Sequence, residues 1–154
     1  LILTPGVRAQ KRWNWGAVNV LTGQTVHIVH ERRNNIGFRR LLAAISRHFQ
    51  LAQHPQRKVL LYVDNDKAHD AKVVRQLLAK YAHRIQLEWL PPYTPEMNPH
   101  EVIWKHMRRR VTHNHYFENM GSLLVAVDQF HKDLEDDPDG VLRLIKKWTR
   151  FIST

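Results

Sequence analysis

The sequence predicts an α/β fold: a mixed sheet flanked by helices. Three observations point there. Lys11–Val20 and Thr25–Glu31 are strand-like runs joined by a turn, which reads as an antiparallel hairpin. Val59–Val63 is a continuous apolar run of strand length, followed by a helical pattern and a second short strand run, Ile85–Leu90. Strand, helix and strand in that order form a βαβ unit, whose right-handed crossover pairs its strands in parallel. Elsewhere the apolar residues recur at helical spacing.

The elements follow in order. Trp13, Trp15, Ala17 and Val18 favour extended backbone in the first hairpin strand, and Leu21-Thr-Gly-Gln24 supplies the turn. Asn34 or Asn35 can cap a helix reaching about Phe49, with Phe38, Leu41, Leu42 and Ile45 on its inner face. Gln50 to Arg57, with Pro55, is a loop. The run Val59–Val63 predicts a strand buried on both faces. Asp70–Tyr81 predicts a helix with Val73, Val74, Leu77 and Leu78 inward. Pro91, Pro92 and Pro95 stiffen the next loop. Asn98 and Pro99 then suit the cap and first turn of a helix to about Val111. Further helices are expected over 119–134 and 140–151, the last with Leu142, Ile145, Trp148 and Ile152 on one side. The domain expectation is an α/β unit over 1–115 and a helical extension of the same domain over 116–154.

At 154 residues and 43% hydrophobic the chain can bury a core, and its formal charge of +10 favours a polyanionic partner such as nucleic acid. With no Cys there is neither a disulfide framework nor a thiolate metal site. No apolar run approaches the roughly 20 residues that span a bilayer. Leu1-Ile-Leu-Thr-Pro-Gly6 has no initiator Met and is too short for a signal-peptide core, so it reads as the interior of a longer protein.

Two acids stand in distinctive frames. Asp64 ends the run Lys58-Val-Leu-Leu-Tyr-Val-Asp64-Asn65, and Glu101 follows the block Leu90-Pro-Pro-Tyr-Thr-Pro-Glu-Met-Asn98-Pro-His. A strand C-terminus is rigid and points into the crevice where α/β folds place ligands. A carboxylate opening a helix can reach the same crevice. Phosphodiester chemistry uses two divalent ions about 4 Å apart to activate the nucleophile and stabilise the leaving oxygen, and Mg²⁺ takes hard oxygen ligands. The two carboxylates are therefore expected within about 8 Å of each other, as one two-metal site requires. Glu101, Lys105 and Arg108 fall on one helical stripe, and Arg108-Arg109-Arg110 adds positive charge where a phosphate backbone would lie. Taken alone, Asp64 could be a turn residue and Glu101 a helix-start acid paired with Lys105. His69 could position water or phosphate, or serve only as a helix-entry residue. His113-Asn-His115 is too short to signify a nuclease motif. Asp136-Asp-Pro-Asp139 lacks the spacing of a calcium loop.

Val63-Asp-Asn65 with His69, Leu90-Pro-Pro-Tyr-Thr-Pro95, and Met97-Asn-Pro99 before Glu101-Val-Ile-Trp104 resemble the DDE endonuclease domain of mariner-superfamily transposases. The bacterial insertion-sequence branch is the most similar. Thr4-Pro-Gly6, Gly16-Ala-Val-Asn19 and Thr22-Gly23 extend the resemblance over about residues 4 to 115. It implies an RNase H-like fold, two Mg²⁺ (or Mn²⁺) ions, and cut-and-paste movement of DNA bounded by inverted repeats. It matches Asp64 to the second catalytic acid and Glu101 to the third, both as metal ligands. Asn65, His69 and Asn98 match motif positions without an assigned role. Lys105, Arg108, Arg109 and Arg110 are the DNA-binding candidates. Expected partners are double-stranded DNA, as terminal repeats and target, and a second copy of the chain, in the cytoplasm at the bacterial nucleoid.

One departure matters. The family's first Asp lies on a strand upstream of the Thr-Pro-Gly segment, whereas residues 1–63 hold no Asp and a single acid, Glu31. The expected sheet thus lacks its central strand, the one between the hairpin and the strand ending at Asp64. Two classes of function remain: a metal-dependent transposase fragment that is inactive alone, or a non-catalytic basic DNA-binding remnant. Another RNase H-like nuclease is a third reading, which the proline-rich frame disfavours.

Overall fold

The structure is a computed structural model, and it describes residues 2–3, 11–67, 69–81 and 84–149. The elements are β1 (Ile2–Leu3), β2 (Lys11–Val18), β3 (Thr25–His30), α1 (Asn35–His48), β4 (Val59–Val63), α2 (Lys72–Lys80), β5 (Ile85–Trp89), a 3₁₀ turn (Pro95–Met97), α3 (His100–Met107), a π-helical turn (Arg108–Thr112), α4 (Met120–Asp136), α5 (Pro138–Leu144) and α6 (Lys146–Thr149).

The hairpin forms as expected, with Trp15 opposite Ile28 and Ala17 opposite Val26. Asn19 organises its turn: the side-chain oxygen accepts from Leu21 N and Thr22 N at 3.0 and 3.2 Å. Gly23 closes it at φ +76, a left-handed conformation that costs glycine nothing. Asn34 caps α1 by accepting from Ile36 N and Gly37 N. The βαβ unit is parallel, in register from Val59 opposite Ile85 to Val63 opposite Trp89.

Alternation along the hairpin builds two cores, because successive strand residues point to opposite faces. Trp15, Ala17, Val26 and Ile28 pack with Phe38, Leu41, Leu42 and Ile45 of α1, and this core continues into Val63, Val74 and Ile85. On the other side, Val18 and Val29 pack with Ile103 and Met107 of α3 and with Leu123, Val127 and Phe130 of α4.

Among the described residues, β1-β2-β3 forms one antiparallel sheet and β4-β5 a separate parallel pair. β1 pairs antiparallel with β2 along the edge away from β3, Ile2 opposite Arg12 and Leu3 opposite Lys11. Four expectations need correction. Strand β4 is covered on one face only: Leu60 is 52% and Tyr62 61% exposed. An apolar strand run reports burial on two faces only if some element covers the second. In α2, Val74 is buried but Val73 is exposed. The helix begun at His100 is α-helical only to Met107. A His113 N to Arg108 O bond of 2.7 Å closes the wider turn that follows. That turn keeps Val111 buried behind Met107 while Arg108, Arg109 and Arg110 stay exposed. Finally, the last helix breaks at Ile145, which is buried. Phe151 and Ile152 lie outside the described residues.

Sheet and helix approach closely at Gly16. A Cβ there would overlap the ring of His100. Gly16→Ala is expected to destabilise the chain by about 1–3 kcal/mol, as overpacking does. Urea denaturation checks this, and Gly16→Ala with His100→Ala should recover part of the loss.

Candidate active site

Asp64 follows the last residue of β4. Its Oδ1 accepts from Asp66 N at 3.2 Å, a tight turn that stops the strand. His69 holds the same carboxylate: its Nδ1 lies 3.2 Å from Oδ1 and 3.0 Å from the Asp64 carbonyl. An Nδ1–H directed between these acceptors leaves Asp64 a fixed rotamer, with the side chain still half-exposed. His69 is itself buried, its ring centroid 4.2 Å from Phe38 and 6.1 and 6.3 Å from Trp15 and Trp89. Sequence reading left His69 without a secure role. It braces Asp64 against the aromatic side chains of α1, β2 and β5.

Asn65 ties the two halves of the motif together. Its Nδ2 donates to Leu90 O at 2.8 Å, fixing the start of the proline-rich loop to the end of β4. At the far end of that loop, Asn98 Oδ1 accepts from His100 N at 3.0 Å and opens α3. Thr94 Oγ1 donates to Pro91 O at 2.6 Å within the loop. Glu101 stands on the first turn of α3, half-buried, and makes no ion pair or side-chain hydrogen bond among the described residues. Its backbone is set by the packing of α3: His100 against Gly16, Ile103 in the core, and Trp104 edge-on to His100 at 4.9 Å.

The arrangement brings Asp64 together with His69, and Asn65 with the loop. No direct hydrogen bond joins Asp64 to Glu101, and among the described residues no three His, Asp or Glu side chains converge into a metal cluster. The donor chemistry still suits Mg²⁺ or Mn²⁺. Asp64 and Glu101 are hard oxygen donors held by rigid elements, and Glu101 is a half-buried carboxylate without an ion-pair partner among the described residues.

Two further acids, Asp66 and Glu31, have basic neighbours. Asp66 is 16% exposed and takes two contacts from Arg33, Nε at 2.7 Å and Nη2 at 2.6 Å, a charge-assisted pair. Glu31 is exposed beside Arg12 at 3.8 Å. Of the basic candidates, Lys105, Arg108 and Arg109 are exposed without a carboxylate partner among the described residues, whereas Arg110 lies 3.8 Å from Asp133.

Sequence reading missed a histidine cluster beneath α3. His27 of β3 stacks on His131 of α4 with centroids 3.7 Å apart, and His131 Nε2 lies 2.8 Å from Asn14 Nδ2. Burial pushes the His100 imidazolium down to about pH 4. Burial and then the neighbouring His27 push His131 down to about 3. Burial also lowers His27, against the opposing charges of Glu135 and Asp128. Three residues so far apart in sequence carry no shared spacing, so only folding reveals them.

The chain resembles known proteins throughout its length. A curated relative from Shigella sonnei, the "Insertion element IS630 uncharacterized 39 kDa protein", is 26% identical over 145 residues, 94% of this chain and 40% of the relative. The chain thus spans less than half of that protein. The catalytic domain of Mos1 mariner transposase superposes with a TM-score of 0.63 at 21% identity, over 84% of this chain and 65% of that one. The Mos1 transposase paired-end complex with left transposon end matches at 0.67 and 18% identity, over 97% and 44%. The Mos1 mariner paired end complex with Mn matches at 0.65 and 18%, over 97% and 47%. These structures establish the RNase H-like fold. The family model for the DDE superfamily endonuclease matches residues 3–124, which include Asp64, Glu101 and the loop between them, and the chain belongs to that family.

Proposed function

We propose that this chain is part of the catalytic domain of a bacterial insertion-sequence transposase, cleaving and joining DNA at the element's terminal repeats with Mg²⁺ or Mn²⁺. The observation that carries the reading is the bracing of Asp64 by buried His69, with Asn65 binding the same turn to the loop that leads to the unpaired Glu101. A carboxylate needed only to end a strand would not require that support. Asp64 and Glu101 would hold the metal, which supplies activation of a water or hydroxyl and charge neutralisation at the phosphate. His69 keeps Asp64 in one rotamer, Asn98 sets the start of α3, and Lys105, Arg108 and Arg109 offer charge to the DNA backbone.

Two carboxylates clamp a two-metal site incompletely. The third acid is expected upstream of Ile2, on a strand that would continue β1 along β2. The domain then comprises 1–115 with 116–154 as its helical extension, works as a homodimer on two DNA ends, and acts at the bacterial nucleoid. No described helix is long and apolar enough to cross a membrane.

The experiment is Mg²⁺-dependent nicking of terminal-repeat duplex by the chain alone and with the upstream segment supplied. Activity only with that segment supports the reading. Nicking by the 154 residues alone, lost on Asp64→Ala, would mean that another acid completes the site, with Glu31 or Asp66 first to test. A non-catalytic DNA-binding role is the second reading, favoured by the lack of a three-ligand cluster among the described residues. It predicts no nicking in either case. In both readings duplex binding falls with salt, and Arg108→Ala with Arg109→Ala is expected to flatten the log–log slope by about 0.9 per lost phosphate contact. An unchanged slope removes the turn that follows α3 from the DNA path.

A further inference from the structure

We infer that the outer face of α1 is a second DNA-backbone surface, taking a different DNA segment from the one along α3; this rests on the DNA-processing function proposed above. Helix α1 buries Phe38, Leu41, Leu42 and Ile45, so its opposite face points to solvent. Arg40 and Arg47, seven residues apart, lie on one stripe of that face, flanked by Arg39, and all three are exposed. None has a carboxylate partner among the described residues. Arg40 Nη1 instead lies 3.2 Å from His30 Nδ1, and Arg47 lies near Tyr81, whose hydroxyl it makes more acidic against the effect of burial.

Ordinary solvated surfaces of this protein look different. Arg75 pairs with Asp70, Lys132 with Asp128, and Arg143 with Asp137. Between Glu31 and Asp64 the sequence instead has Arg32, Arg33, Arg39, Arg40, Arg47, Arg57 and Lys58 and no acid at all. A helix face carrying only positive charge, with no carboxylate to offset it, is matched to a polyanion.

Position decides which polyanion segment. The hairpin sheet separates the two surfaces, with α1 packed on one face and α3 and α4 on the other. A straight duplex along α3 therefore does not lie along α1. Yet α1 is fastened to the candidate active site, through Phe38 against His69 at 4.2 Å and Arg33 bound to Asp66 just ahead of the helix. The N-terminal end of α1 lies near the Asp64 turn, because Arg33, two residues ahead of the helix, binds Asp66, two residues beyond Asp64. The helix is about 21 Å long, enough to follow about six phosphates of one strand. Joining an element end to another DNA needs two segments at one site, and this surface supplies the place for the second.

The test uses the 154-residue chain in EDTA, so that cleavage plays no part. Two short duplexes carrying different dyes are mixed with it, and energy transfer between them is read as bridging. Salt titrations by fluorescence anisotropy give the slope for each variant. The expected result is bridging by the unaltered chain. Arg40→Ala with Arg47→Ala should abolish it, flatten the slope by about 1.8 for two lost contacts, and leave one duplex bound. Arg108→Ala with Arg109→Ala should also abolish bridging and leave the α1 duplex. An Arg40/Arg47 variant that bridges and titrates like the parent overturns the inference alone, as does preferential capture of duplex RNA at α1. Failure of the unaltered chain to bind any duplex overturns the DNA-processing reading with it. Both variants alter exposed side chains, and an unchanged thermal transition confirms the fold.

Discussion

Glu101→Gln or Asp64→Asn is expected to lower metal-dependent cleavage by about a thousandfold or more in the polypeptide that carries the upstream strand. Each substitution keeps the size of the side chain and removes its charge. A bound metal supplies several kcal/mol of transition-state charge stabilisation, and about 4 kcal/mol corresponds to a thousandfold in rate. Asn at 64 still offers an oxygen to Asp66 N and His69, so the turn should survive. Glu101 has no partner to lose among the described residues. Cleavage rate over a Mg²⁺ series, with a thermal transition for each variant, checks this. Activity within tenfold of the parent, at an unchanged transition, would remove that residue from the metal site.

Acid is expected to unfold this chain through the histidines beneath α3. His100 is buried, and its folded-state value of about 4 lies below the ordinary 6.5. Between those values the unfolded chain binds the proton and the folded chain does not. Stability from this group is therefore full above about pH 6.5 and falls as pH drops towards 4. His100 alone should account for about 2 kcal/mol by pH 5, before most carboxylates titrate. His131 and His27 add to the fall in the same direction, tempered by Glu135 3.5 Å from His27 Nδ1 and by Asp128. Because His100 precedes Glu101 and rests on Gly16, the loss should begin where α3 meets the sheet. Urea titrations at pH 7 and pH 5 measure it, and His100→Gln should flatten the difference. Equal stability at both values would show that these rings accept protons without cost in the folded chain.

Local chemistry made much of this readable in advance. The hairpin, the Asn34 cap with the Phe38, Leu41, Leu42 and Ile45 face, and the Asn98 opening of α3 depend on neighbours close in sequence, and the parallel pair β4 and β5 follows from the strand–helix–strand order. Asp64 and Glu101 stood out as candidates for the same reason, since each sits at an element boundary that its own segment defines.

What the linear order left undetermined depends on residues far apart. Val59–Val63 is apolar enough for a doubly covered strand, but no described element covers Leu60 and Tyr62, and coverage is a property of the assembled layers. Spacing put Arg110 with Arg108 and Arg109, yet α4 brings Asp133 to it. Asp66, two residues beyond Asp64, is bound by Arg33, 33 positions away along the chain. His69 had a motif position and no task until Phe38, Trp15 and Trp89 enclosed it. Sequence by itself determined most of the elements and singled out the two acids, because periodicity, caps and strand ends act over one or two turns of chain. Tertiary structure alone decided the supports of Asp64, the pairing of each charge and the burial of His27, His100 and His131, because solvent exclusion and ion pairing depend on distance in space rather than on separation along the chain.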